Sequence, residues 1–180
     1  MTFPFALRLI APLAAAVLVS APALGAVTVG QAAPAFALSD QNGKTRSAEE
    51  FKGKWLVLYF YPKADTPSCT DQACGFRDEF ALLKVLGAEV MGVSTDNAAD
   101  LAQFAQKNHL PFPLLADKDG KVSELFGTLI NLGLTKLSKR HTFLIDPDGK
   151  IVRRYTDVNA KGDAKQVVED LRQLTKASKP

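Results

Sequence analysis

Apolar residues follow two different spacings along the chain, and their alternation predicts strands interleaved with helices. Residues 55–61 form a nearly continuous apolar run, which is typical of a strand buried on both faces. Residues 88–94 and 141–145 are further strand candidates. Residues 150–155 are expected to pair back onto 141–145 as a hairpin, because the turn-forming segment 146–149 separates them.

Helical spacing appears after the first buried run and twice more towards the C-terminus. The first helix should begin at Pro67 or Cys69 and end before Gly87. A second helix should follow a cap at Thr95 or Asn97. The apolar positions of the three predicted helices are Ala73, Phe76, Phe80 and Leu83, then Leu101, Phe104 and Ala105, then Val167, Val168, Leu171 and Leu174.

Shorter signals complete the order of elements. A short edge strand is expected within 30–38, a hairpin turn at Asn42-Gly43, and a capped short helix from Ser47. Residues 114–116 are a short strand candidate before a turn at 117–120. The predicted order is β-β-α-β-α-β-α-β-β-α, which indicates an α/β fold with a mixed central sheet flanked by helices.

The first 25 residues have the pattern of a signal peptide. Arg8 is their only charged residue, an apolar run covers 9–19, and the small residues of 23–25 suit a signal peptidase. We therefore expect export, to a bacterial periplasm, and a mature domain over 26–180. The apolar run is short for a membrane anchor, so we expect no membrane association in the mature form.

Charge and composition exclude one class of partner. The chain has 180 residues and a formal net charge of +3, which is too small to indicate nucleic-acid or polyanion binding. Without repeats or low-complexity segments, the mature chain should form one domain.

The only two cysteines, Cys69 and Cys74, lie at the predicted start of the first long helix. Thr66 precedes Cys69 by three positions and Pro62 precedes Thr66 by four. A helix N-terminus favours a thiolate over a thiol, so this placement indicates thiol redox chemistry. A structural disulfide is the alternative, but the small loop between these cysteines would give it little entropic stabilisation.

The segments around these cysteines resemble the peroxiredoxins. Pro62-x-x-x-Thr66-x-x-Cys69 is similar to the active-site signature of that family, and the spacing to Cys74 is similar to its PrxQ, or bacterioferritin comigratory protein, subfamily. Residues 30–38 and 140–146 resemble the family's entry segment and its arginine-bearing strand. The likeness covers residues 29–175 and implies a thioredoxin-like fold.

The resemblance implies a thiol-dependent peroxidase that reduces hydrogen peroxide and organic hydroperoxides. Cys69 would be the peroxidatic cysteine and Cys74 the resolving one. The Thr66 hydroxyl, Arg140 and the Cys69 N–H would supply hydrogen-bond donors to the peroxide oxygens, while Pro62 would shape the pocket and shield the thiol from water. The family implies no cofactor, a thioredoxin or thioredoxin-like reductant, and a monomer.

Helix geometry constrains how the two cysteines could join. Five residues apart in an intact helix, their Cα atoms would be about 8.7 Å apart, whereas a disulfide needs about 4.4–6.8 Å. We therefore predict a reduced form with a continuous helix and an oxidised form in which residues near 69–76 rearrange. Gly75 should ease that change.

Two departures from the family limit the assignment of roles. An acidic residue usually stands where this chain has Gln72, so no chemistry is assigned to that position. The apolar spacing in Phe126–Lys139 suggests a helix broken by Gly133. That segment could cover the core, form a wall for bulkier hydroperoxides, or provide a contact surface.

Three other functions are compatible with parts of the sequence. A thioredoxin-type oxidoreductase would typically use C-x-x-C. A non-catalytic domain with a structural disulfide would leave Thr66 and Arg140 unexplained. Zinc binding by the two cysteines with His109 and His141 has unsuitable spacing. His141 should face away from Arg140, because neighbouring side chains of a strand point to opposite faces.

Overall fold

A five-stranded mixed sheet organises the protein, which is described over residues 27–177 of a computed structural model. The predicted signal peptide, residues 1–25, lies outside this range. The strands are β1 (Ala37–Ser39), β2 (Thr45–Ser47), β3 (Trp55–Phe60), β4 (Ala88–Ser94), β5 (Leu114–Ala116), β6 (Leu129–Asn131), β7 (Lys136–Ser138), β8 (His141–Ile145) and β9 (Ile151–Tyr155). The helices are a 3-10 turn (Ala48–Phe51), α1 (Pro67–Asp78), α2 (Phe80–Val85), α3 (Ala98–Lys107), α4 (Lys121–Leu125) and α5 (Asp163–Ala177).

The central sheet has the strand order β5-β4-β3-β8-β9. β3 pairs in parallel with β4 and antiparallel with β8, and β4 continues in parallel to β5. The central position of β3 explains its nearly continuous apolar sequence, since both of its faces are buried. The predicted thioredoxin-like α/β class with a mixed sheet is confirmed.

Two apolar cores lie on opposite faces of the sheet, and β3 contributes alternate residues to each. Val57 and Tyr59 pack with side chains of α1, α3 and α5, and Cys69 belongs to this first core. Leu58 and Phe60 pack with Phe126 and others in the second core. Cys69 therefore lies on the face of the sheet that α1, α2, α3 and α5 cover.

The helix after β3 differs from the prediction because it is two helices. α1 ends at Asp78 and α2 begins at Phe80. Glu79 caps α1, and its N–H donates to the carbonyl groups of Gly75 and Arg77. The break lets Phe80 pack beside Phe112, with ring centroids 5.8 Å apart.

The broken helix suggested for Phe126–Lys139 is wrong. β6 and β7 form an antiparallel hairpin here, and Gly133 occupies a left-handed conformation between them with φ 81°. Phe126 is fully buried in the second core, whereas Leu132 and Leu134 are exposed at the tip. Strand alternation and helical spacing cannot be told apart over strands of three residues.

Short local elements elsewhere follow the turn chemistry. Gly43 takes φ 76° in the predicted hairpin turn between β1 and β2. Asn97 caps α3 by accepting the N–H of Asp100. The unpredicted helix α4 follows the 117–120 turn because the Asp117 carboxylate accepts hydrogen bonds from the N–H groups of Val122 and Ser123.

No helix within residues 27–177 has the length and apolar character that crossing a bilayer requires.

Candidate active site

Cys69 lies in the first turn of α1, directly after the loop that follows the central strand. Thr66 is the extended N-cap residue and Pro67 the first helical residue. Cys69 is only 2% exposed. The first N–H groups of a helix have no partner within it, so the sulfur lies beside unpaired donors in a site that excludes most water.

Arg140 reaches this sulfur from the residue before β8. Its Nη2 donates to Cys69 Sγ over 3.3 Å. A guanidinium this close stabilises negative charge on sulfur. The next residue, His141, lies on the other side of the sheet, where its ring is 6.4 Å from that of Phe143. The expected opposite orientation of the two side chains is observed.

Gln72 connects Arg140 to a second buried residue. The Gln72 Oε1 atom accepts a hydrogen bond from Arg140 Nη1 at 2.5 Å. Its Nε2 atom donates to Asp163 Oδ2 at 2.7 Å, and the Thr142 hydroxyl donates to the same oxygen at 2.7 Å. Sequence reasoning assigned no role to Gln72 and did not single out Asp163, because no local pattern links residues 91 positions apart.

The Asp163 carboxyl group is in an unusual environment. Burial raises its pKa above the ordinary value, while the hydrogen bonds from Thr142 and Gln72 and the charge of Arg140 act in the opposite direction. The carboxyl group also lies at the N-terminus of α5, where the helix dipole favours negative charge.

The loop that carries Thr66 is fixed by the buried Asp96. This carboxylate pairs with Lys63 and accepts the Ala64 N–H at 2.7 Å and the Ser94 hydroxyl at 3.0 Å. Asp65 has φ 61°, a sparsely populated conformation for a residue with a side chain. The turn before Thr66 is thus fixed by contacts with Asp96, which lies shortly after β4.

Thr66 and Pro62 lie where the sequence predicts, between β3 and α1, and both are partly buried. The Thr66 hydroxyl donates to the Lys63 carbonyl group over 3.0 Å. Its hydrogen is therefore engaged in this conformation, and its lone pairs remain to accept a hydrogen bond from a substrate O–H.

Cys74 is a half-buried free thiol further along the same helix. Its Sγ atom lies 3.9 Å from Asn108 Oδ1, at the end of α3. Arg77 donates to the Asn108 carbonyl group at 2.9 Å, so this half of α1 is attached to α3. Both cysteines are free and α1 is continuous between them, as expected for the reduced form.

A buried sulfur that is held against a guanidinium, with a second thiol in the same helix, can change oxidation state by two electrons and return through a disulfide. On a thioredoxin-like scaffold, these features define a thiol-based oxidoreductase. Residues 29–154 match the AhpC/TSA family, and the chain belongs to this family. Its relatives are peroxiredoxins of the Q or bacterioferritin comigratory type, and the protein is a thiol-dependent peroxidase of this kind.

Several known proteins illustrate the similarity. The peroxiredoxin Bcp of Escherichia coli strain K12 is 46% identical over 132 residues, which cover 71% of this chain and 85% of that protein. The solved structure of the peroxidoxin BcpB from Mycobacterium tuberculosis has a TM-score of 0.77 and 34% identity, covering 81% of this chain and 97% of its own. The bacterioferritin comigratory protein of Xanthomonas campestris, whose structures were described with its alkyl peroxide reduction activity, has a TM-score of 0.72 and 30% identity over 78% of this chain and 92% of its own.

Proposed function

We propose that Cys69 is the peroxidatic cysteine and Cys74 the resolving cysteine of a hydroperoxide reductase. The observation that carries this proposal is the hydrogen bond from Arg140 to the buried Cys69 sulfur. Without such a partner, a buried thiol would be an inert core residue.

In the first step, the Cys69 thiolate attacks one peroxide oxygen. An S–O bond forms, the O–O bond breaks, and two electrons pass from sulfur to the substrate. The leaving alkoxide or hydroxide takes a proton and departs as alcohol or water, and Cys69 becomes a sulfenic acid. Negative charge moves along the O–O axis, so donors that face both oxygens lower the barrier.

The surrounding groups fit this charge movement. Arg140 and the Cys69 N–H donate hydrogen bonds to the peroxide oxygens. The Thr66 oxygen accepts a hydrogen bond from the substrate O–H and thereby orients the substrate. Pro62 has no N–H and narrows access to the sulfur without competing for hydrogen bonds.

Cys74 completes the cycle after α1 unwinds. Its sulfur attacks the sulfenic sulfur, an S–S bond forms, the S–O bond breaks, and water leaves with the Cys74 proton. A thioredoxin-type dithiol protein then reduces the disulfide by exchange. The substrates are hydrogen peroxide and organic hydroperoxides, which agrees with the alkyl peroxide reduction described for the Xanthomonas campestris protein.

The site of action that the N-terminal sequence supports is the bacterial periplasm, after cleavage near Gly25 or Ala26. We infer a monomer that needs an exported dithiol protein as its reductant. Expression of the full chain in a bacterium, followed by fractionation and intact-mass analysis, tests export and cleavage. Sedimentation of the mature chain tests the oligomeric state. A full-length cytoplasmic product, or a stable oligomer, would contradict these proposals.

Stopped-flow fluorescence tests the roles of the two cysteines, with Trp55 on β3 as the single tryptophan reporter. The reduced protein should react with hydrogen peroxide far faster than free cysteine and form an intramolecular disulfide. Cys69→Ser should be inert, and Cys74→Ser should stop at a sulfenic acid that dimedone traps. If the wild type reacted no faster than free cysteine, or if Cys69→Ser kept its rate, the proposal would fail.

A further inference from the structure

Asp163 is a buried carboxylate that the proposed mechanism does not use. It is 4% exposed, and α5 brings it to the active-site face from the far end of the sequence. Its two side-chain donors are Gln72 and Thr142, and Gln72 in turn holds Arg140. A continuous hydrogen-bonded path therefore runs from Asp163 to the Cys69 sulfur.

The amide of Gln72 can satisfy its two neighbours in one orientation only. A guanidinium has donors and no acceptor, whereas an ionised carboxylate has acceptors and no donor. The amide oxygen must therefore face Arg140 and the amide nitrogen must face Asp163, as observed. A charged partner makes the hydrogen bond at each end stronger than a neutral one.

We propose that Asp163 is a positioning residue for peroxide reduction, which acts through Gln72 to hold the Arg140 guanidinium against Cys69. This inference rests on the roles proposed for Cys69 and Arg140. Gln72 separates the two charges, because its amide nitrogen meets the carboxylate and its amide oxygen meets the guanidinium.

The amide that separates the Asp163 carboxylate from Arg140 has a chemical consequence for the sulfur. A carboxylate in direct contact with Arg140 would compete with the thiolate for the guanidinium charge. A neutral amide in that place keeps the orientation and weakens the competition. Burial raises the pKa of Asp163, whereas the hydrogen bonds from Thr142 and Gln72 and the charge of Arg140 favour its ionised form. The N-terminus of α5 also favours the ionised form. The phenols of Tyr59 and Tyr155 interact electrostatically with the same carboxyl group.

A double-mutant cycle that moves the carboxylate from position 163 to position 72 tests the proposal. Its variants are Asp163→Asn, Gln72→Glu and the two combined, and Asp170→Asn is the control. Asp163→Asn keeps the shape and removes the charge, so the rate constant with hydrogen peroxide should fall by about 10- to 100-fold. Gln72→Glu alone places two carboxylates in contact and should also be impaired. The double variant restores one carboxylate to the path and should recover to within about threefold of the wild type.

Asp170→Asn is the matched control, because Asp170 lies on the same helix and binds the Tyr155 hydroxyl outside this path. It should react like the wild type. Alkylation by iodoacetamide gives the second readout, since it needs a thiolate but no aligned donors. A positioning role predicts that Asp163→Asn loses more in its rate with peroxide than in its rate of alkylation, because a displaced Arg140 weakens the thiolate in both reactions but supplies an aligned donor only in peroxide reduction.

Two results would overturn the inference. One is an Asp163→Asn variant that reacts with peroxide at the wild-type rate, and the other is a double variant no faster than Gln72→Glu. The second comparison decides the question even if Asp163→Asn alone does not fold. Fast, Cys69-dependent peroxide reduction by the wild type would leave the proposed function standing in either case.

Discussion

Two consecutive residues, Arg140 and His141, serve opposite faces of the central sheet. Arg140 contacts the sulfur, whereas His141 is buried beside Phe143, and its Nδ1 atom has no hydrogen-bond partner within residues 27–177. Burial, together with the charges of Arg154 and Lys139, lowers the pKa of His141 to about 4. His141 is therefore a neutral core residue rather than a catalytic acid or base.

His141 should make stability depend on pH below neutrality. The unfolded chain binds its proton near pH 6.5 and the folded chain only near pH 4, so the unfolded state holds more protons between these values. The free energy of unfolding should fall by about 2 kcal/mol between pH 7 and pH 5 through this residue. Urea unfolding at both pH values measures the loss.

His141→Phe should remove that component of the pH dependence, since a phenyl ring suits the site beside Phe143 and does not titrate. His109→Asn is the control at an exposed histidine, where φ 52° suits asparagine. An unchanged slope in His141→Phe would show that other groups cause the loss of stability.

At the scale of elements, the proposed cycle requires α1 to be stable enough to present Cys69 and weak enough to release Cys74. Gly75 lies next to Cys74 in this helix. A Cβ atom at Gly75 would meet only the Ala164 side chain, at an ordinary contact distance of 3.7 Å. The glycine is therefore not required by packing, and its effect is to lower the cost of unwinding.

Gly75→Ala should slow disulfide formation without affecting peroxide reduction. Alanine stabilises a helix interior by up to about 1 kcal/mol relative to glycine, which corresponds to a slowing of up to about fivefold. Stopped-flow fluorescence should show an unchanged first phase, which is the internal control, and a slower second phase. A second phase as fast as that of the wild type would show that unwinding of this segment does not limit resolution.

On the scale of the whole molecule, α5 contributes both to the apolar core and to the candidate active site. Its residues Val167 and Leu171 are fully buried in the first core, and its first residue is Asp163. Both cores share β3, so loss of packing under α5 should weaken the entire domain rather than one edge.

Leu171→Ala should lower the free energy of unfolding by about 2–5 kcal/mol, as expected for a large cavity in a core. Circular dichroism and Trp55 fluorescence should follow one shared transition, because both report on the same cooperative unit. Separate transitions for the two probes would contradict this. The surface variant Val85→Ala, at an 83% exposed residue, should change stability little.

The sequence predicted the long elements and the cysteines because their signals are local. β3, α3 and α5 have apolar patterns long enough to be unambiguous, and the cap residue Asn97 marks the start of α3. The split of α1 from α2, the short α4 and the β6–β7 hairpin were missed or misread, since a few residues carry too little periodicity. Arg140 was found only through resemblance.

The path from Gln72 to Asp163 was beyond sequence reasoning for a different reason. The two residues are 91 positions apart, and only the docking of α5 on α1 brings them together. Gln72 was visible in the sequence, but the carboxylate that it contacts could be found only in the folded structure.

Gln72 lies between the two cysteines in the sequence, so the proposed unwinding that brings Cys74 to Cys69 also moves the amide away from Asp163. The disulfide form then contains a buried carboxylate that has lost one of its donors, and this costs free energy. The cost falls on the oxidised protein alone. It therefore raises the reduction potential of the cysteine pair and favours electron transfer from the dithiol partner. In the proposed cycle, the charge that aligns the site for peroxide would therefore also favour the return to the reduced state.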